Sequence, residues 1–166
     1  GGTVLDEAGR CNLATGGPEA LGYLQELKAA GAMFGSDAYN LHKMFAFGGA
    51  DMMINGPWSL YQQIGASSFS LGVVPLPAGP GGPAGPLLES DGFSININSD
   101  NPEGALALAL FLTSPESQQV FTDQAMHIPT DPRVTISDPL VQGFAAAAAT
   151  GVPFPPAPEF ENYWWS

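Results

Sequence analysis

Prolines that directly follow a capping residue mark where four helices begin in this sequence. A proline in the first helical turn is tolerated because the backbone N–H at that position has no acceptor within the helix. The four pairs are Gly17-Pro18, Asn101-Pro102, Ser114-Pro115 and Asp138-Pro139. Gly31 is predicted to close the first of these helices and Gly151 the last, since glycine commonly follows a helix C-terminus.

A fifth helix and three strands are predicted between these helices. Leu41, Met44 and Phe45 follow helical spacing within residues 38–48. Short apolar segments are predicted as strands at residues 50–54, 69–76 and 94–98. In the last of these strands polar and apolar residues alternate, so we expect it to be half-buried. Helices and strands interleave along the chain, which is typical of the α/β class.

The two consecutive helices that begin at Pro102 and Pro115 carry apolar residues at helical spacing. Such residues usually form the face that a helix buries. We therefore expect the following side chains to be buried: Ala105, Leu106, Ala109, Leu110, Val120 and Phe121.

The charge balance argues against two classes of partner. The chain has 4 basic and 16 acidic residues, which gives a formal net charge of −12. Nucleic acids and anionic membrane surfaces attract clustered lysine and arginine, and the sequence has no such cluster. Its longest run of small apolar residues, 144–152, is too short to cross a bilayer. We expect neither a nucleic-acid partner nor a membrane-spanning segment.

No motif for a metal, a cofactor or a nucleophile is complete. The glycine-rich loop at 78–86 contains three prolines, which lack the backbone N–H groups that cradle a phosphate. Asn96, Asn98 and Asp100 have calcium-loop spacing, but the glycine and the glutamate of that loop are missing. Cys11 is the single cysteine, and the histidines, His42 and His127, have no metal-ligand spacing. We expect no cofactor and no metal.

Paired carboxylates leave one enzymatic alternative open. Glycoside hydrolases use two carboxyl groups, one as acid and the other as base or nucleophile. Glu89 with Asp91, and Glu159 with Glu161, are the candidates here, and Glu89 with Glu159 is the pair that such an enzyme would use. Carboxylates on the surface without a catalytic role are the commoner case.

Tryptophan placement is compatible with a binding role as well as with a structural one. Trp58 directly follows a Gly-Pro turn, and Trp164 and Trp165 follow the proline-rich segment 153–158. The apolar C–H face of a pyranose matches the flat face of an indole, so such rings line many sugar clefts. The alternative is that these rings fill a core, and the residues alone leave both interpretations open.

Several segments resemble bacterial extracellular solute-binding proteins of the maltose-binding type. Residues 45–58 (FAFGGADMMINGPW) are similar to the family pattern F-x-x-G-x-x-A-M-x-I-N-G-P-W, with Asp51 where alanine is usual. Residues 72–77 (GVVPLP) and 108–118 (LALFLTSPESQ) resemble two further family segments. Residues 153–165 resemble the segment that brings a second aromatic group to the sugar.

The resemblance implies an α/β fold of the periplasmic-binding-protein-like type II, present in part. It assigns residues 1–89 to the C-terminal lobe. Residues 90–135 would be a crossover strand and helices of the N-terminal lobe, and residues 136–166 a truncated return to the C-terminal lobe. On this basis we expect the chain to be part of a longer protein. We also expect apolar surface to be exposed around residues 93–125, where the other lobe would pack.

The function that the resemblance implies is non-enzymatic. It is binding of a maltodextrin-type oligosaccharide and its delivery to the transmembrane permease subunits of an ABC transporter. Trp58 and Trp164 match stacking positions, while Trp165 and Tyr61 are further expected ligand contacts. The protein is expected to be a monomer, periplasmic or extracellular and lipid-anchored. The alternatives are a solute-binding protein for a non-sugar ligand, which the charge of −12 suits if that ligand is a cation, and a glycoside hydrolase fragment.

Overall fold

The computed structural model describes residues 4–6, 8–32, 35 and 37–155. Trp164, Trp165 and Glu159 lie outside the described residues. In chain order the described elements are α1 (Gly17–Ala29), α2 (Ala38–Ala46), a 3-10 helix (Pro57–Ser59), α3 (Leu60–Ala66), β1 (Leu87–Leu88), α4 (Pro102–Leu112), α5 (Pro115–Ala125), α6 (Pro139–Ala148) and β2 (Val152–Pro153).

The four helix starts predicted from proline are confirmed. The Asn101 side chain accepts a hydrogen bond from the Gly104 N–H at 2.9 Å, and the Asp138 side chain accepts one from the Leu140 N–H at 2.7 Å. Ser114 caps α5 in the same way. At the first helix the capping residue is Gly16 instead of Gly17, with a left-handed φ of 81°. The starts of α4, α5 and α6 were predictable because each cap side chain bonds a backbone N–H two or three residues away.

The predicted strands at 50–54, 69–76 and 94–98 are not strands in the structure. Residues 94–98 are exposed instead of half-buried, and they end in a turn in which the Ser99 N–H donates to the Asn96 carbonyl oxygen at 3.0 Å. Alternation indicates which face of an extended segment is apolar, but a strand also needs a neighbouring chain to complete its hydrogen bonds.

Strand pairing in the described residues joins β1 and β2, which are far apart in sequence. They are parallel, with Leu87 opposite Val152 and Leu88 opposite Pro153. The Val152 N–H donates to the Pro86 carbonyl oxygen at 2.8 Å, and the Phe154 N–H donates to the Leu88 carbonyl oxygen at 2.9 Å. The polypeptide therefore leaves this strand pair after Leu88 and returns to it at Val152, so residues 89–151 begin and end at adjacent points. A mainly helical chain with a parallel strand pair is compatible with the α/β class.

Few apolar side chains are buried in the part of the chain that the structure describes. They are Ala46 on α2, Leu60 on α3 and Val141 on α6. α6 packs closely on residues near Val73, since a Cβ placed at Gly143 would be 2.5 Å from the Val73 carbonyl oxygen. The chain exposes 12320 Å² of surface, against about 8,000 Å² for a folded monomer of this length.

The predicted buried faces of α4 and α5 are largely exposed, and that prediction was wrong. Leu110 is 63% exposed and Val120 is 60% exposed, while Leu106 and Phe121 are also exposed. α4 contacts α5, and Phe121 contacts His127, but these contacts leave most of the two apolar faces in solvent. The companion prediction, that apolar surface is exposed around residues 93–125, is confirmed. The side chains concerned are Phe93, Ile95, Ile97, Leu106, Leu108, Leu110, Phe111, Val120 and Phe121.

The segment after α5 folds back along this helix through glutamine side chains. Gln118 Oε1 accepts hydrogen bonds from the N–H groups of Thr130 at 2.9 Å and Asp131 at 3.1 Å. Gln119 exchanges hydrogen bonds with the Thr135 backbone. The segment is held further by an ion pair in which Arg133 Nη2 lies 2.7 Å from Asp131 Oδ2.

Hydrogen bonds from Arg133 lower the pKa of Asp131 from 3.8 to about 2. A carboxylate whose pKa is lower in the folded than in the unfolded protein stabilises the fold at pH values above the unfolded pKa. For Asp131 this contribution is lost as the pH falls from 3.8 towards about 2. Carboxyl NMR of the Arg133→Gln variant should show the Asp131 pKa raised towards 3.8. Arg10→Gln is the control, because Arg10 pairs with Asp6 and should leave Asp131 unchanged. If the carboxyl group of Asp131 titrated with a midpoint near pH 4 while Arg133 is present, the ion pair would be contradicted.

Candidate functional site

The candidate site is the Trp58 turn, which comprises residues 55–59 and connects an extended segment to α3. Proline suits the first position of the 3-10 helix Pro57–Ser59 because its ring presets φ. The Ser59 hydroxyl donates to the Gly56 carbonyl oxygen at 2.8 Å, and the Ser59 N–H donates to the same oxygen at 3.1 Å. Ser59 is buried, so the turn is held from inside by one hydroxyl group.

The Asn55 side chain connects this turn to α2. Its Oδ1 accepts a hydrogen bond from the Gly56 N–H at 2.8 Å. Its Nδ2 lies 2.8 Å from Nε2 of His42, and 3.8 Å from the sulfur of Met53. Both ends of the amide are thereby used, and the turn is fixed to a helix that lies 13 residues earlier in the chain.

Trp58 projects from this turn into solvent. Trp58 is 76% exposed, so its ring does not fill a core. The six-membered part of the indole lies directly over Gly56, where a Cβ atom would overlap the ring. Only glycine at position 56 therefore permits this ring position. The backbone supports one side of the indole while most of the ring remains available for contact.

Tyr61 is the second predicted ligand contact that the structure describes. It lies in the first turn of α3 and is 74% exposed. Residues three apart on a helical run share one side, so Tyr61 follows Trp58 on the same side. The opposite side of α3 is buried through Leu60 and Gln63, and α3 packs against α2. The position of Trp58 relative to Trp164 and Trp165 lies outside the described residues.

The contribution of Asn55, Ser59 and His42 was not predicted from the sequence. Asparagine before Gly-Pro is a usable signal, because its side chain often bonds the backbone of a turn. His42 was interpreted as an isolated histidine, since its partner is not at a metal-ligand spacing. The other histidine, His127, packs edge-on against Phe121 with ring centroids 6.2 Å apart.

The remaining candidates form no reactive constellation among the described residues. Within those ranges no group of three histidine, cysteine or acidic side chains could hold a metal ion. Asn96 Oδ1 accepts from the Asn98 N–H at 2.9 Å, which is a local turn. Cys11 is exposed and unbonded to another cysteine. Glu89 is exposed, and Glu159 lies outside the described residues.

Two further surface features belong to the described residues. An open depression of about 560 Å³ is lined by Asn40, Lys43, Met44, Phe47 and Gly49, and it includes neither Trp58 nor Tyr61. Close to it, the Lys43 ammonium lies 4.1 Å from the centroid of the Tyr39 ring. None of the helices in the described ranges has the length and apolar character needed to cross a bilayer.

Comparison with known proteins relates this chain to a protein family and to a curated relative. The family model described as "Bacterial extracellular solute-binding protein" matches residues 5–148. A probable ABC transporter-binding protein of Deinococcus radiodurans is 28% identical over 141 residues, an alignment that covers 78% of this chain and 33% of that protein. The chain thus spans about a third of the length of this curated relative.

Proposed function

Because this chain belongs to the family of bacterial extracellular solute-binding proteins, we propose that it is part of the carbohydrate-binding subunit of an ABC importer. The proposed ligand is a maltodextrin-type oligosaccharide. The proposed partners are the transmembrane permease subunits that accept the sugar. The protein acts as a monomer in the periplasm or, lipid-anchored, on the outer side of the cell membrane. No covalent step takes place, so the protein is not an enzyme.

The observation that carries the sugar proposal is the exposed, supported indole of Trp58. This ring offers a large flat apolar surface to solvent, and it is held in place by Gly56 behind it. Pyranose C–H groups stack on such a ring, adding roughly 0.5–1.5 kcal/mol to the burial of apolar area, by analogy with aromatic pairs. Tyr61 extends the same surface. Trp164 and Trp165 would supply further rings.

The second part of the proposal is a cleft between two lobes, with this chain providing most of the C-terminal one. Residues 1–89 and 136–166 belong to the C-terminal lobe, and residues 90–135 cross into the N-terminal lobe and back. The β1–β2 pair supports this division, since residues 89–151 leave and return at adjacent points. Closure of two lobes on a sugar would exclude water and strengthen polar contacts.

The exposed apolar surface supports the two-lobe proposal independently. α4 is apolar on all sides, yet none of its described residues is buried. A helix of that kind is normally enclosed by protein. The rest of the N-terminal lobe would cover it, which agrees with a relative three times as long as the aligned part.

Two other functions remain as alternatives. A solute-binding protein for a cation such as a polyamine would suit the net charge of −12. A glycoside hydrolase would need a pair of carboxylates. Glu89 and Asp91 are both exposed, and Glu159 lies outside the described residues.

The proposal is tested by ligand titration of the complete protein that contains this chain. Maltotriose and maltoheptaose should each give a saturable change in tryptophan fluorescence. A ligand at about 100 times its Kd adds about 2.7 kcal/mol to the unfolding free energy, so the melting temperature should also rise.

Spermidine, ferric citrate and an aryl glycoside are the comparison compounds. We expect no thermal shift with the first two and no turnover of the third. A response to spermidine or the iron chelate alone would favour the non-sugar alternative. Release of the aryl group by the parent protein, and loss of this activity in Glu89→Gln, would favour the hydrolase. If no saccharide changes the fluorescence or the melting temperature, sugar binding is refuted.

A further inference from the structure

We propose that His42 is a positioning residue for the Trp58 indole, acting through the side chain of Asn55. His42 lies on α2, outside the turn that carries the ring, and no ligand contact is assigned to it. Its role in ligand binding rests on the proposed function, whereas its effect on the orientation of the indole does not.

The hydrogen bonds of Asn55 determine which atoms face His42. Oδ1 is already occupied by the Gly56 N–H at 2.8 Å, so the amide NH₂ group is the part directed at the imidazole. An amide NH₂ only donates, and therefore Nε2 of His42 must be an acceptor. The imidazole is then neutral, with its proton on Nδ1.

The imidazole is held by the packing of α2. His42 and Ala46 are four residues apart and so share one face of the helix. Ala46 is buried, and α2 packs against α3, whose Leu60 is also buried. His42 thus connects a packed helix face to Asn55, and Asn55 connects to the Gly56 N–H. The indole lies on Gly56, which completes the chain of contacts.

Protonation of His42 would break this series of contacts at the hydrogen bond between His42 and Asn55. A charged imidazole donates from both nitrogens, so Nε2–H would face the amide NH₂ of Asn55, and two donors cannot bond. The titratable and charged groups on the adjoining elements are Lys43 and Tyr39 on α2, Asp51 before the turn and Tyr61 on α3. The Lys43 ammonium lies over the Tyr39 ring.

The first experiment uses the unmodified complete protein. Long-range ¹⁵N–¹H NMR correlations of the His42 ring at pH 7.5 should show the tautomer with the proton on Nδ1. The indole N–H resonance of Trp58, assigned by its loss in Trp58→Phe, is the parent value for comparison with variants at position 42. A tautomer with the proton on Nε2 would overturn the proposal.

The second experiment compares two variants. His42→Gln provides a carbonyl oxygen that can accept from Asn55, so the Trp58 resonance and the maltotriose Kd should stay close to the parent values. His42→Leu removes the acceptor, and the Kd should rise about 10-fold, in line with loss of one hydrogen bond and relaxation of the ring. The Trp58 resonance should shift in His42→Leu, because the indole is no longer held through Asn55. His127→Leu, which alters a histidine packed on Phe121, should change neither quantity.

The outcomes separate the two proposals. If His42→Gln disturbs Trp58 as much as His42→Leu, the imidazole serves only to fill space and the positioning role is wrong. An unchanged Trp58 resonance in His42→Leu has the same meaning. If the resonance responds as expected but the parent protein binds no saccharide, the positioning role stands and the proposed function fails.

Discussion

Trp58→Ala should weaken maltotriose binding by the complete protein at least about 30-fold, the equivalent of about 2 kcal/mol. The physical reason is that the substitution removes the exposed indole that the Gly56 backbone supports, and truncation of a central aromatic contact commonly has an effect of this size. Isothermal titration calorimetry measures the change. Trp58→Phe should retain part of the affinity, because a smaller flat ring remains.

Tyr39→Ala is the matched control for this prediction. Tyr39 is an exposed aromatic residue on α2, comparable in exposure to Trp58, and it contacts Lys43. Its removal should leave the Kd within about twofold, as expected for surface changes away from a site. Equal losses in the two variants would mean that the calorimetric effect reports general destabilisation, and an unchanged Kd in Trp58→Ala would remove the basis of the sugar proposal.

Gly143→Ala is expected to lower the free energy of unfolding by about 1 kcal/mol. A Cβ at this position would be 2.5 Å from the Val73 carbonyl oxygen and 2.7 Å from the Val73 Cβ. Backbone atoms cannot rotate away, so α6 must shift, at a cost of about 1–3 kcal/mol or more for overpacking. The gain in helix propensity on replacing glycine by alanine, about 0.8 kcal/mol, offsets only part of this cost. Urea denaturation measures the difference.

Gly22→Ala should have the opposite effect on the free energy of unfolding in the same assay. Gly22 is also inside a helix, α1, but an added Cβ would have no atom within 4 Å. Helix propensity alone then applies, and stability should rise by about 0.5–1 kcal/mol. If Gly143→Ala were also stabilising, the close packing of α6 on the Val73 segment would be wrong.

The proline-led helix starts were predictable from short stretches of sequence. Each cap side chain bonds a backbone group within three residues, as Asn101 does with Gly104 and Asp138 with Leu140. The family was predictable for a similar reason, because residues 45–58 form one continuous pattern, and the family match over residues 5–148 confirms it. The ligand specificity within that family stays a prediction.

Burial was predicted less well than helix position. Leu106 and Val120 have the spacing of a helix face that packs, yet both are exposed. Periodicity indicates that a face is apolar, while burial also needs a second surface to cover it. The predicted strands failed for the corresponding reason, since an extended segment such as 69–76 becomes a strand only beside a partner.

The sequence by itself determined the helix starts, the Asn-Gly-Pro-Trp turn and the lack of a basic cluster, because these depend on residue type or on neighbours a few positions apart. The tertiary structure decided that β1 pairs with β2, that α6 packs on Val73 and that His42 bonds Asn55. It also decided that Trp58 faces solvent instead of a core. Each of these outcomes depends on which distant segment lies alongside, and residue spacing along one segment carries no information about that.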